Sequence, residues 1–138
     1  MVYFANATLR FDGACQPNPG EGGAGYRIFN NKNGNTILEG RHYIGYDCTN
    51  NVAEYFGLIA ALKRLRQSPH HIGHLNIEVH SPRLRPLYNR AKELVFKRTG
   101  REFDSCDFDH VDRGVNWAAD SLANDAIQYE DDWSTDYY

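Results

Sequence analysis

The 138 residues, 15.8 kDa, are one domain's worth of chain, enough to bury about two-thirds of the unfolded surface without staples. Hydrophobic residues make up 41% and charged residues 24%, mean hydropathy is -0.64, and no apolar run nears the ~20 residues of a membrane span, so disordered, fibrous and membrane-spanning classes are excluded. The net charge of -3 is uneven: from Asp120 onward there are six acids and no Lys or Arg, whereas 83–101 holds Arg83, Arg85, Arg90, Lys92, Lys97, Arg98 and Arg101 against Glu93 alone, a mild nucleic-acid signal or a solvated helix face.

The chain opens with a strand. Leu9 and Phe11 face one way and Thr8, Arg10 and Asp12 the other, a period of two that ends at Asp12. Pro17-Asn18-Pro19-Gly20 breaks it, and Gly22-Gly23-Ala24-Gly25 leads into a second strand, Tyr26 to Asn30. Asn33-Gly34, both tolerant of positive φ, turns that strand into Thr36-Ile37-Leu38, which completes a three-stranded antiparallel meander.

After Thr49-Asn50-Asn51 the period becomes helical. Val52, Tyr55, Phe56, Ile59, Leu62 and Leu65 form an apolar stripe to about residue 67, with Asn51 as N-cap and Glu54 at the third helical position. Pro69 and Gly73 end the helix, and Leu75 to Val79 is a short strand. Leu84, Leu87, Tyr88, Ala91, Leu94 and Val95 outline a second helix, Phe103 to Val111 a last strand, and Asn116 caps a third helix whose inner face is Ala119, Leu122, Ala123, Ala126 and Ile127. The order β-β-β-α-β-α-β-α predicts an α/β domain over 1–129, a mixed five-stranded sheet flanked by helices, followed by a loose acidic and aromatic tail, 130–138.

Three acids stand where an acid is expensive or unexpected. Asp12 ends a strand beside Phe11, Glu54 lies in an apolar helix, and Asp120 opens another helix between Ala119 and Leu122. Carboxylates gathered at strand and helix ends are the usual holders of hard divalent cations. Each also has a plain structural role: Asp12 as a turn starter, Glu54 as a capping-box acid, Asp120 as a partner of a helix dipole.

Three motifs resemble the ribonuclease H family over nearly the whole chain. Phe11-Asp12-Gly13-Ala14-Cys15-Gln16-Pro17-Asn18-Pro19-Gly20, with Gly22 to Gly25, is similar to its first strand and loop. Thr49-Asn50-Asn51-Val52-Ala53-Glu54-Tyr55 is similar to its first helix. His110-Val111-Asp112-Arg113, then Asn116 and Ala119-Asp120-Ser121-Leu122-Ala123-Asn124, is similar to its terminal block. The resemblance implies the ribonuclease H-like fold and hydrolysis of the RNA strand of RNA/DNA hybrids, with up to two Mg2+ or Mn2+ ions clamping the scissile phosphate. Asp12 would bridge the ions, Glu54 and Asp120 would each serve one, and His110 would assist proton transfer or product release. Gly13, Cys15 and Asn18 would read the RNA 2′-hydroxyls, Thr49, Asn50 and Asn51 would hold the DNA strand, and Arg90 and Lys97 would add backbone contacts.

The sequence departs from the family in one place. The family carries another essential Asp, followed by Ser, at the end of the strand matched by Leu75 to Val79, and then a further helix. Here only His80, Ser81 and Pro82 separate Val79 from Arg83. Either His80-Ser81 replaces Asp-Ser, or a block with the Asp has been cut out after Ser81; both leave the site without that acid. His80 is then a candidate metal ligand, although a neutral imidazole adds no charge and prefers softer ions than Mg2+. Glu78 shares the strand face but sits ~6.5 Å further from the strand end.

Losing a helix also uncovers apolar surface, to be filled by a shifted second helix, by the tail with Tyr129, Trp133, Tyr137 and Tyr138, or by a partner chain in a homodimer. Two further readings therefore accompany hybrid hydrolysis, itself weakened by the missing acid: a degenerate module that binds hybrid or RNA, and an oligomer that completes its site in trans. Cys15, Cys48 and Cys106 lack metal or disulfide spacing, and residues 1–6 lack the pattern of a signal peptide. Both point to an intracellular, reducing compartment, with cytoplasm, nucleus and organelle equally compatible.

Overall fold

Strands β1 (Tyr3–Gln16), β2 (Gly20–Asn30) and β3 (Thr36–Cys48) form the expected antiparallel meander, and each runs longer than its apolar alternation. The computed structural model describes residues 2–81, 84–96, 102–111 and 116–138. Arg83, Lys97, Arg98 and Arg101 of the basic segment, Asp112 and Arg113 of the last motif, and the Val95 side chain lie outside the described residues.

Gly22 to Gly25 belong to β2 itself. A side chain at Gly23 would come within 2.5 Å of the Ala123 carbonyl, and one at Gly25 within 2.3 Å of the Ala119 carbonyl. The glycines are bare strand on which a helix lies, not a lead-in loop.

Helix α1 (Asn50–Gln67) follows, then β4 (His71–Val79), α2 (Arg85–Phe96), β5 (Phe103–His110) and α3 (Trp117–Tyr129). β4 pairs parallel with β1, and β5 parallel with β4. The sheet has six strands rather than five, in the order β5-β4-β1-β2-β3-β6. The sixth, β6 (Trp133–Asp136), comes from the tail expected to be loose, and pairs antiparallel with β3. Ionic contacts fasten it: Arg41 donates twice to Asp131, and buried His70 meets Asp136 at 2.7 Å. Tyr138 then packs edge-on against Phe4 and His70. This tail covers the β3 edge, on the far side of the sheet from β4, so it does not fill the surface expected to lie open beyond the end of β4.

The core lies between one sheet face (Leu9, Phe11, Ile28, Ile77) and α1 and α2, where Tyr88 stacks edge-on to Phe11 at 5.6 Å. The buried stripe of α1 is Ala53, Glu54, Gly57, Leu58, Ala61, Leu62 and Leu65, while Val52 and Phe56, expected inside, are exposed. On the opposite sheet face α3 packs over Gly23 and Gly25. Leu87 and Leu94 of α2 are 45% and 55% exposed, an apolar face left open by the described residues.

Candidate active site

Two glycines assemble the site. A Cβ on Gly13 of β1 would lie 2.2 Å from the Ala53 carbonyl carbon and 2.3 Å from the Glu54 nitrogen, so only glycine lets α1 descend far enough to bring Glu54 beside Asp12. Asp12 pairs with Gly25 of β2, and the bareness of Gly25 admits α3, which carries Asp120 in its first turn. The three acids therefore converge from a strand and two helices on opposite sheet faces.

Glu54 is 1% exposed and Asp12 7%, whereas Asp120 is exposed. The expected capping box does not form. Thr49 is the N-cap and accepts from the Val52 N–H at 3.3 Å, so Glu54 lies beyond the first turn on the buried stripe. Its burial thus has no capping role. Asp12 accepts from the Gly13 N–H at 2.9 Å. Burial raises its carboxyl from 3.8 to about 7, and the Asp120 carboxyl, which hydrogen-bonds and repels it, and the Glu54 charge add to this against the pull of the Gly13 N–H. A proton held on a crowded carboxyl is what a hard cation displaces, so the donor chemistry fits a divalent ion. As they stand, no three His, Cys, Asp or Glu side chains among the described residues close around a common point.

Hydrogen bonds show where His80 stands. Arg10 with Glu78 is the last pair of the β1–β4 ladder, and His80 follows the end of β4, where the Asn116 amide bonds both its ring and the carbonyl of Phe11, the neighbour of Asp12. Its Nδ1 donates to the Val111 carbonyl at 3.2 Å, and its Nε2 accepts from the Asn116 amide at 2.7 Å. The imidazole is thereby fixed as the neutral Nδ1–H tautomer with its lone pair engaged. That arrangement works against the metal-ligand role expected for His80. Glu78 is no substitute, because Arg10 holds it in a two-pronged ion pair at 2.9 and 3.3 Å.

Asn116 is the residue that sequence reasoning undervalued. It was expected as a helix cap, yet its side chain makes no cap hydrogen bond. Instead its amide donates to both the Phe11 carbonyl and His80, at 2.7 Å each, which ties α3 to the end of β1. The Phe11 carbonyl fixes the amide orientation, leaving Oδ1 buried without a partner among the described residues. The available signal was spacing: Asn116 precedes Asp120 by one helical turn. His110, exposed at the end of β5, donates from Nε2 to the His80 carbonyl at 3.1 Å.

Of the expected substrate-binding residues, Cys15, Asn18 and Asn50 are linked by hydrogen bonds, Thr49 caps α1, and Gly13 lies buried beneath that helix. Asn18 accepts from the Asn50 N–H, and the Asn50 side chain accepts from the Cys15 N–H, both at 3.2 Å. The Cys15 thiol is pushed up to about 12 by burial and by the neighbouring Cys48 thiol. Asn51 is exposed at the start of α1. Of the basic segment, Arg85 donates to the Phe108 carbonyl at 2.9 Å, and Arg85 and Lys92 both lie over the Phe108 ring, so these two charges cover β5; Arg90 is exposed.

The reverse transcriptase-like family model matches residues 10–126. Ribonuclease HI of Halobacterium salinarum is 36% identical over 134 residues, which is 85% of this chain and 62% of that protein. This chain thus spans somewhat less than two-thirds of that relative. The crystal structure of RNase H1 from the same archaeon superposes with a TM-score of 0.72 at 31% identity, covering 91% of this chain and 99% of the other. LC11-RNase H1, isolated from compost and crystallised with an RNA/DNA hybrid, gives a TM-score of 0.67 at 30% identity over 90% and 98%.

Proposed function

The chain belongs to the ribonuclease H family, and on that premise we propose that it hydrolyses the RNA strand of RNA/DNA hybrids, using Mg2+ or Mn2+ held by Asp12, Glu54 and Asp120. The observation that carries the reading is the convergence of these acids, with Asp12 buried and driven to about 7 by its surroundings. That a similar protein, LC11-RNase H1, crystallises with an RNA/DNA hybrid supports the substrate class.

A divalent ion held there, or a pair of them, would supply positive charge against the negative charge developing on the phosphate and would ease loss of a proton from the attacking water. The chain's own residues do the remainder. Asp12 and Asp120 present carboxylate oxygens from β1 and α3, and Glu54 adds its charge from α1. The Thr49–Asn50–Asn51 turn offers the α1 N-terminus and neutral amides to a phosphate of the DNA strand. Gly13 and Cys15 in the last residues of β1 and Asn18 in the turn after it would meet the 2′-hydroxyls in the wide minor groove through their backbone and amide groups. His110 brings an exposed imidazole to the end of β5 for proton transfer at the leaving 3′ oxygen.

One observation favours a second reading, in which the domain binds hybrid and cuts it slowly or not at all. His80, held by Asn116 beside the strand that carries Asp12, has both ring nitrogens engaged and brings no further negative charge to the three acids. A labelled hybrid incubated in Mg2+ and in Mn2+, with Asp12→Asn as control, separates the two. Cleavage by the wild type that Asp12→Asn abolishes establishes the enzyme, and equal inertness with retained binding establishes the binder. Absence of hybrid binding removes both. A homodimer through the exposed α2 face is a third proposal, which light scattering showing a strict monomer at high concentration would exclude.

A further inference from the structure

Trp117 is the most exposed large hydrophobic residue of the described chain, 78% accessible, on a protein whose other tryptophan is only 41% accessible. An indole held in water loses the area it would otherwise bury, and no packing contact among the described residues requires it there. Its position is not peripheral. Trp117 is the first residue of α3, directly after Asn116, which is 4% exposed and pinned by its amide to the Phe11 carbonyl and to His80. The indole thus stands on a rigid base one residue from the side chain that grips the strand bearing Asp12.

The helix sets its direction. Trp117, Asp120 and Asn124 lie three and four residues apart, on one face of α3, while Ala119 and Ala123 on another face pack against Gly25 and Gly23. Asp120 meets Asp12 across the site, and Asn124 accepts from Gln16 of β1 at 2.7 Å. The Trp117 face is accordingly the one turned to the carboxylates and the β1–β2 loop.

We propose that Trp117 is a substrate-positioning residue, its indole packing against the ribose or base of the nucleotide beside the cleaved phosphodiester. This rests on the hybrid reading above. The residue type suits such a role, because an uncharged ring next to three carboxylates attracts a nucleotide without competing for a cation, and every base or sugar offers it a face regardless of sequence. Contact of this kind acts on ground-state binding, so it belongs to KM and not to kcat.

The test uses the intrinsic probe. In Trp133→Phe, Trp117 is the sole tryptophan, and its emission is followed while a hybrid labelled at one end is titrated in chelator, with anisotropy of the label reporting binding independently. Quenching of Trp117 in step with the anisotropy is expected. Trp117→Ala is expected to weaken binding, and to raise KM, by about tenfold with kcat within about twofold, and Trp117→Phe to recover most of the loss. Circular dichroism of Trp117→Ala should match the parent, because the side chain is exposed. Hybrid binding with unchanged affinity in Trp117→Ala and unaltered emission would overturn the inference while leaving the hybrid reading intact. Failure of the label's anisotropy to rise with the parent protein would sink the hybrid reading, and this inference with it.

Discussion

Gly13 is where the assembly of the site is most open to a quantitative test. Replacing it by alanine builds a methyl 2.2 Å from the Ala53 carbonyl carbon and 2.3 Å from the Glu54 nitrogen, both backbone atoms that no rotamer change can move. Against an ordinary carbon contact of about 3.5 Å, α1 must withdraw by roughly 1.3 Å at its N-terminal turn. Overpacking of this severity costs about 3 kcal/mol or somewhat more. For a chain of this length that is a fall of about 10 °C in Tm. A displacement of about 1 Å in a catalytic group also costs on the order of a hundredfold in rate, so hybrid cleavage by the protein still folded should drop by about that factor. Thermal unfolding followed by circular dichroism, and cleavage of labelled hybrid at about 15 °C, well below the lowered Tm, read the two quantities. The double variant Gly13→Ala/Ala53→Gly sharpens the test, because it removes the Ala53 methyl 2.5 Å away but leaves both backbone contacts. It should remain impaired. A Gly13→Ala protein as stable and active as wild type, or full rescue by Ala53→Gly, would refute the claim that close helix–strand approach positions Glu54.

Three other outcomes follow from the same geometry. His80→Asp places a carboxylate beside the strand that carries Asp12, and should raise hybrid cleavage in Mg2+ by about tenfold or more while lowering the Tm in chelator through like-charge repulsion; an unchanged rate would mean that this position does not limit turnover. Asn116→Ala removes the donor to the buried Phe11 carbonyl, costing about 1–3 kcal/mol less the penalty that the orphan Oδ1 already carries, and frees the half-buried His80 Nε2 at a smaller cost, as measured by urea unfolding. Burial pushes the Asp136 carboxyl up, but the His70 hydrogen bond, the Tyr138 N–H and nearby positive charge outweigh it and hold it below 3.8. A lowered folded value means that its contribution is present at neutral pH and is lost as pH falls through the folded value, so Asp136→Asn should be less stable than wild type at about pH 7 and the gap should close as pH falls below about 4.

Much of the fold was legible because two periodicities and one turn signal dominate the chain. The alternation at Leu9 to Asp12, Asn33-Gly34, and the helical spacing after residue 51 yielded the element order, and the motifs singled out three acids whose side chains interact around Asp12. Each miss has a physical cause. Gly22 to Gly25 read as loop because glycine is a poor strand former, whereas the strand needs bare backbone to admit α3. The α1 stripe was rotated because apolar weighting put Val52 and Phe56 inward, whereas the buried face carries the carboxylate of Glu54. The tail looked loose because it is acidic, and its strand depends on partners far along the chain, Arg41 for Asp131 and His70 for Asp136. No local pattern announces such pairs.

His80 and Asn116 act on the charge of the site as one hydrogen-bonded pair. At the His80 position a carboxylate would add a further negative group to Asp120 and Glu54, which already favour a proton on Asp12. A neutral imidazole lowers that repulsion, and the hydrogen bonds from Asn116 and to Val111 offset its burial. With an imidazole there in place of a carboxylate the domain would be more stable without a cation and less attractive to one, since affinity for a hard divalent ion grows with the number of anionic oxygens. Under the proposed hybrid reading, holding substrate would then fall to neutral groups, the Asn18–Asn50 pair and the indole of Trp117. Such a domain would lose speed in cutting a hybrid before it lost its grip on one, so binding in chelator, and not turnover alone, is the discriminating measurement.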